Sequence, residues 1–358
     1  MKFLQNYPIK ERQILTKSGA DFIKSLGNVA VREAVISIFE GENVRNSTEF
    51  ITRRRLAISN GAMLMMFIKS SFENPIFIET LLDQASHSLI LENLRKNDRW
   101  ILEWLLGLND KAVQNILRDN PAELKNYQSR LSTAVNDSLE YVVSNFGDIK
   151  GTLNVNGKKT SINWDFMLKL MLSVGAQTLT IRGSEKSTYG KLFEKLILGT
   201  LLEILGFEFI KETENLKSND KVFWLSKTEK RESDATLIYS LGKGIRFDIG
   251  FIGRGNPEIS LDKVTRFERE VTIGKTKHYL GTYVIVDRIG DKSKITTLAQ
   301  EIGGDIVQMS LSFWIRDVAK LLKRDLNYSH PVLSMGDEEL RVYLIKQIKK
   351  IDIIKFIR

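Results

Sequence analysis

Through most of the first 150 residues, apolar side chains recur every three or four positions. In ADFIKSLGNVAVREAVISIFEG they are Phe22, Ile23, Leu26, Val29, Val35, Ile36 and Phe39, the stripe of an amphipathic helix. NSTEFITRRRLAISNGAMLMMFIKSSF carries a cap signal at Asn46-Ser47-Thr48 ahead of its periodic part. IFIETLLDQASHSLILENLRKNDRWILEWLLGL sets Trp100 and Trp104 one helical turn apart, KAVQNILRDN is stopped by Pro121, and LKNYQSRLSTAVNDSLEYVVSNF closes the run. No fixed repeat period is visible.

The pattern then changes. TLNVNGKKTSINW predicts a hairpin, with Asn156-Gly157 as the two positive-φ residues of its turn and Lys158 and Lys159 at its tip. TLTIRGSEKSTYGKLFEKLILGTLLEILGFEFI predicts a loop from Gly183 to Thr188, a long helix and a strand. From about residue 190 to 320 strands and helices alternate, which predicts a mixed sheet with helices against it. DEELRVYLIKQIKKIDIIKFIR predicts a basic amphipathic helix. The fold class is therefore α+β or α/β. A helical domain at 1–150 is followed by a hairpin and connector at 151–177, a sheet-centred core at 178–330 and a C-terminal helix at 331–358.

The most informative stretch is RESDATLIYSLGKGIRFDIGFIGRGNPEISLDKVTRFERE, residues 231–270. It reads as strand, tight turn, strand, loop and helix. Ile245, Phe247, Ile249 and Phe251 alternate with Arg246, Asp248 and Gly250, so the two sets occupy opposite sheet faces. A carboxylate inside so apolar a strand is costly unless a cation offsets it.

Composition narrows the chemistry. Of 358 residues, 42% are hydrophobic and 27% charged, as in a packed protein. Lys and Arg outnumber Asp and Glu by 53 to 44, which favours a polyanionic partner such as nucleic acid, although a merely basic surface gives the same count. The absence of cysteine excludes disulfides, thiolate metal sites and cysteine nucleophiles. His87, His278 and His330 are too scattered for a zinc motif, so a metal here would be held by oxygens, which suits Mg2+. The N-terminus lacks a signal-peptide pattern and no apolar run is long enough to span a membrane, so a cytoplasmic protein is expected. Arg53-Arg54-Arg55 is either a phosphate clamp or a solvated helix face. The methionines at 63, 65 and 66 and the two tryptophans read as core.

Asp234 opens the first strand of the informative stretch, and Asp248 follows 14 residues later on the second, across a Gly-Lys-Gly turn. Lys263 stands at the start of the next helix, after Glu258. Phosphodiester hydrolysis uses such groups. Carboxylates hold magnesium against the phosphate, and a lysine stabilises the charge that develops. Taken singly, each residue has an ordinary structural reading, as a strand cap, a buried ion pair or a helix-start pair.

From Glu194 to about Phe313 the chain resembles the PD-(D/E)xK nuclease superfamily and, within it, the type II restriction endonucleases. The resemblance rests on YGKLFEKLILGTLLEILGF, Ser233-Asp234, the strand GIRFDIGFIG and the element order. DIGFIGRGNPEISLDKVTRF resembles restriction enzymes of the CfrBI kind. It implies Asp234 and Asp248 as metal-binding acids, Glu194 as the helix acid and Glu258 as an accessory ligand. Gly250 stands where the motif's lysine is expected, so the resemblance passes that role to Lys263. A second mapping takes Asp248 first and Glu268-x-Glu270 as the distal pair. Arg182 and Lys186, around the loop before the helix, and Arg254, Asn256, Arg266 and Arg269, near the acids, are the candidate DNA contacts. The resemblance further implies double-stranded DNA as substrate, Mg2+ as cofactor, a homodimer for cutting a symmetric site, and a cognate methyltransferase as genetic partner. A structure-selective nuclease and a non-cutting DNA-binding protein on the same core are the alternatives.

Overall fold

The structure, a computed structural model, describes residues 2–11, 23–24, 27–90, 94–117, 122–211, 221–226, 233–240, 242–250, 270–273, 276–288 and 304–357. Its helices are α1 (Lys2–Gln5), α2 (Asn28–Phe39), α3 (Val44–Glu73), α4 (Phe77–Leu89), α5 (Lys96–Leu105), α6 (Asp110–Leu117), α7 (Ala122–Phe146), α8 (Trp164–Ile204), α9 (Ile315–Leu326) and α10 (Asp337–Lys350). Its strands are β1 (Gly151–Val155), β2 (Lys158–Ile162), β3 (Glu208–Phe209), β4 (Val222–Leu225), β5 (Ala235–Ser240), β6 (Lys243–Gly250), β7 (Glu270–Ile273), β8 (Thr276–Val286) and β9 (Gly304–Gln308). The fold class is α+β. The chain forms two compact units, one of residues 1–18 and 52–186, the other of 19–51 and 187–358.

The first unit is helical apart from β1–β2. Met63, Met66, Phe67, Phe77, Trp104 and Phe166 are buried at its centre, where Phe67 meets Phe77 and Phe166 edge to face. The Trp104 indole donates to the Thr180 hydroxyl at 2.9 Å. The methionines at 63 and 66 and Trp104 are thus core, as their spacing implies. Asn156 and Gly157 turn the hairpin with φ of 53° and 81°, both in the left-handed region that a two-residue turn requires.

α8 corrects one expectation. Gly183 to Thr188 is not a loop but part of a 41-residue helix. Glycine, serine and threonine are poor helix formers, at a cost of about 1 kcal/mol for each glycine. The flanking turns outweigh this, because Phe166, Leu170, Ala176 and Ile181 on one side and Phe193, Leu196, Ile197 and Leu201 on the other are buried as helix. The helix starts where Asn163 accepts the Phe166 N–H at 2.9 Å. It ends at Gly206, whose φ of 85° lets the N–H groups of Gly206 and Phe207 reach the carbonyls of Glu203 and Leu202. The cap of α3 likewise lies earlier than the pattern suggests. Asn43 accepts the Asn46 N–H at 2.8 Å, while Thr48 bonds back to the Val44 carbonyl inside the helix.

In the second unit seven described strands form one mixed sheet in the order β3-β4-β5-β6-β8-β7, with β9 on the remaining part of β8. β4, β5 and β6 run antiparallel, and β6, β8 and β9 parallel. One sheet face is apolar. Leu237, Ile245, Phe247, Ile249, Tyr283, Ile285 and Val307 share a single core with the 187–204 part of α8 and with α2, α9 and α10. Trp314 stacks on Phe39 at 5.1 Å and donates to the Ile38 carbonyl, which ties α2 to α9. Tyr283 donates to Asp325 at 2.7 Å, and Arg324 bridges Asp325 to Asp305.

The last expected helix is shorter than its pattern. α10 stops at Lys350, Ile351 is extended, and Asp352 caps a 3-10 turn at Ile353–Phe356 that returns Ile353 and Phe356 to the core. The Phe356 ring lies over Gly199 so closely that a Cβ there would sit 2.5 Å from it. Gly199→Ala is therefore expected to destabilise the protein by about 1–3 kcal/mol in urea unfolding, and Phe356→Leu to recover much of that loss in the double variant. An unchanged unfolding midpoint for Gly199→Ala would refute the contact.

Candidate active site

β5 and β6 are joined through Gly242, whose φ of 75° belongs to the turn. Their register pairs Ala235 with Phe247 and Thr236 with Arg246. Asp234 immediately precedes Ala235 and Asp248 immediately follows Phe247, so the two acids are the next facing pair. Facing residues of antiparallel strands project from the same face, with Cβ atoms about 4.5–5.5 Å apart. The Ile249 N–H donates to Asp234 Oδ2 at 2.9 Å, which fixes that carboxylate against the backbone next to Asp248.

The pairing depends on an irregularity in the ladder. The register shifts between Ile238 and Ser240. Continued without that shift from Ser240 opposite Lys243, the ladder would set Asp234 against Ile249, on the apolar face.

The alternation expected of β6 is present. Ile245, Phe247 and Ile249 enter the core, and Arg246 and Asp248 belong to the other face. Both are buried, Asp248 with only 4% of its surface exposed. Val284 of β8 lies beside Asp248 and Val286 beside Gly250. The Ser226 N–H donates to the Asp234 carbonyl at 3.0 Å, and the hydroxyls of Ser233 and Thr236 share a hydrogen bond of 3.0 Å, which together order the start of β5.

Asp287, at the exit of β8, is an acid that the sequence pattern did not single out. Its N–H donates to the Gly250 carbonyl at 3.2 Å, which places it at the edge of the sheet where β6 ends. Burial raises its carboxyl pKa above the ordinary 3.8, opposed by the Val44 N–H and the Arg288 charge. The available signal was an apolar run ending in Asp at the carboxyl end of a parallel strand, where sheets of this kind bind ligands.

The other expected site residues fall as follows. Glu194 is half-buried on α8 in the second unit, and Arg182 is exposed on the same helix in the first. Lys186 is helical, not part of a loop. Lys263, Glu258, Glu268, Arg254, Asn256, Arg266 and Arg269 lie outside the described residues. Glu270 opens β7, so LDKVTRFERE is not helical to its last residue. Among the described residues no group of three or more metal-ligating side chains gathers at one point. The facing pair Asp234 and Asp248 nevertheless fits a hard divalent cation, because its donors are carboxylate oxygens on one face.

The raised pKa of Asp287 has a definite sign. The folded state holds this proton more tightly than the unfolded chain, so the stabilising contribution is full below pH 3.8 and is lost as pH rises through the folded value. Burial of the Asp287 carboxyl therefore costs stability at neutral pH relative to acid pH. Asp287→Asn is expected to melt higher than the wild type at pH 7, with the gap closing towards pH 4. Thermal unfolding across that range measures it, and a lower melting temperature for the variant at pH 7 would count against it.

Two comparisons place the chain among known proteins. The family described as CfrBI restriction endonuclease matches residues 28–294. The type II restriction enzyme CfrBI of Citrobacter freundii is 39% identical over 352 residues, which cover 98% of this chain and 95% of that enzyme. No solved structure matches. With the family matched across most of the chain and a relative this similar over nearly the full length of both, the chain belongs to the CfrBI restriction endonuclease family.

Proposed function

We propose that this protein is a magnesium-dependent type II restriction endonuclease whose cutting centre is built on Asp234 and Asp248. Family membership supports sequence-specific cleavage of double-stranded DNA. The observation that carries the site assignment is the β5–β6 register, whose last pair, Ala235 with Phe247, directly adjoins Asp234 and Asp248, together with the Ile249 N–H bond to Asp234. No helix of the described residues is long and apolar enough to cross a membrane, and the cytoplasm, where cellular DNA lies, is the proposed compartment.

A magnesium ion held by such a pair would polarise the scissile phosphate and lower the pKa of a bound water. The protein's own part is to hold the acids in place. The Ile249 N–H fixes Asp234, and packing of β6 between β5 and β8 fixes Asp248. Lys263, with Glu258 near it, is assigned the cationic role that Gly250 cannot fill. Hydrolysis forms a bond from water oxygen to phosphorus and breaks the bond to the 3′ oxygen, which takes up a proton. The products are a 5′-phosphate and a 3′-hydroxyl.

Glu194 and Glu268 are accessory acids in this reading, and Arg182, Lys186, Arg254, Asn256, Arg266 and Arg269 are candidate DNA contacts. The second unit cuts, and the first grips and reads. A symmetric recognition site requires two cutting centres, so the working form is a homodimer. A methyltransferase that protects the same site is its genetic partner.

Asp234→Asn and Asp248→Asn are each expected to slow cleavage of a mixed-sequence plasmid by on the order of 10²–10³-fold or more, with duplex binding retained. Discrete fragments should form only with magnesium. Wild-type cleavage that persists in chelator, or an Asp248→Asn variant that cuts at the normal rate, would refute the assignment.

A further inference from the structure

Hairpin β1–β2 of the first unit presents two unlike faces. Leu153, Val155 and Ile162 pack against that unit's core, with Thr160 buried between the strands and the core. The register pairs Thr152 with Ser161 and Asn154 with Lys159, so these four side chains share the opposite face. All four are exposed, and so is Lys158 at the turn. Each of the five carries a hydrogen-bonding group, and the hairpin from Gly151 to Ile162 contains no acidic residue. Asn154 accepts the Gly157 N–H at 3.1 Å, which commits its oxygen to the turn and leaves its NH2 as a donor.

The dimensions suit one partner. A two-stranded ribbon fits the major groove of B-DNA. Successive pairs on one face of a ribbon lie about 7 Å apart, at about 3.4 Å per residue. That matches two base-pair steps of about 3.4 Å each. Lysine donates to guanine, asparagine to adenine, and serine and threonine to either. The positive charge at the tip complements the phosphates.

We propose that the outer face of this hairpin reads base edges in the major groove, with Asn154 and Lys159 as the base-contacting pair, while Lys158, which pairs with Val155 on the other face at the exposed turn, meets a phosphate. Thr152 and Ser161 form the second row of contacts. The inference rests on the endonuclease reading above, and it locates specificity in a part of the chain separate from the cutting pair in sequence and in unit.

The test uses the full-length protein and duplexes carrying the wild-type site, mapped first from its plasmid fragments, together with every single-base-pair variant of that site. Asn154→Ala and Lys159→Ala are compared with Lys158→Ala and with Lys349→Ala, an exposed control on α10. Each base-contact variant is expected to lower discrimination at one base-pair position roughly tenfold to a hundredfold. Lys158→Ala should weaken binding equally at all sequences and reduce the salt slope by about 1. The control should match the wild type in both. A wild type that cuts its site while Asn154→Ala and Lys159→Ala keep full discrimination overturns this inference alone. Weaker binding with unchanged discrimination in those two variants also overturns it. A wild type that binds and cuts no duplex overturns both readings. Circular dichroism melts of the variants that match the wild type establish that lost discrimination is not lost folding.

Discussion

The proposed cutting centre depends on the parity of one strand. β6 has neighbours on both sides, β5 antiparallel and β8 parallel, so its residues cannot change face without breaking two ladders. Odd-numbered positions are committed to the core by Ile245, Phe247 and Ile249. Asp248 is thereby held on the other face at 4% exposure, where the surrounding protein and not water must balance its charge. The shift between Ile238 and Ser240 then brings Asp234 to the same face. A single irregularity of backbone pairing thus separates a facing acid pair from one lone buried acid.

Much of this was legible in the sequence because it is local. Period-two alternation around Asp248 announces its face without any partner strand, and Gly242 marks the turn that returns the chain. The facing of Asp234 and Asp248 was only half legible, since their 14-residue separation fits neighbouring strands but does not reveal the shift that selects the pairing. Asp287 was not legible as part of the same sheet edge. Its neighbour there is Gly250, and only the parallel pairing of β6 with β8 brings the two together.

The misread elements share a cause. Gly183 to Thr188 has the composition of a loop, yet apolar turns on both sides are buried as helix and carry the segment with them. The C-terminal pattern continues its helical period through Phe356, yet the chain leaves the helix at Ile351 so that Ile353 and Phe356 can fill space beside α8. In each case packing against residues far away in sequence decided what local propensity left open. The core tryptophan and methionines needed no such help, because their spacing alone placed them on buried helix faces.

The split composition of the second unit has a consequence for how the protein is made. Residues 19–51 belong with 187–358, and the hydrogen bond from Trp314 to Ile38 joins positions 276 residues apart. Synthesis runs from the N-terminus, so α2 emerges long before the strands and helices it packs against, and residues 52–186 of the first unit are translated in between. Contacts of such long range make folding slow relative to a helical bundle. The unit that bears Asp234 and Asp248 cannot be completed until residues 187–358 have been made. A nascent chain on the ribosome therefore holds every residue of the first unit well before it holds the strands that carry Asp234 and Asp248.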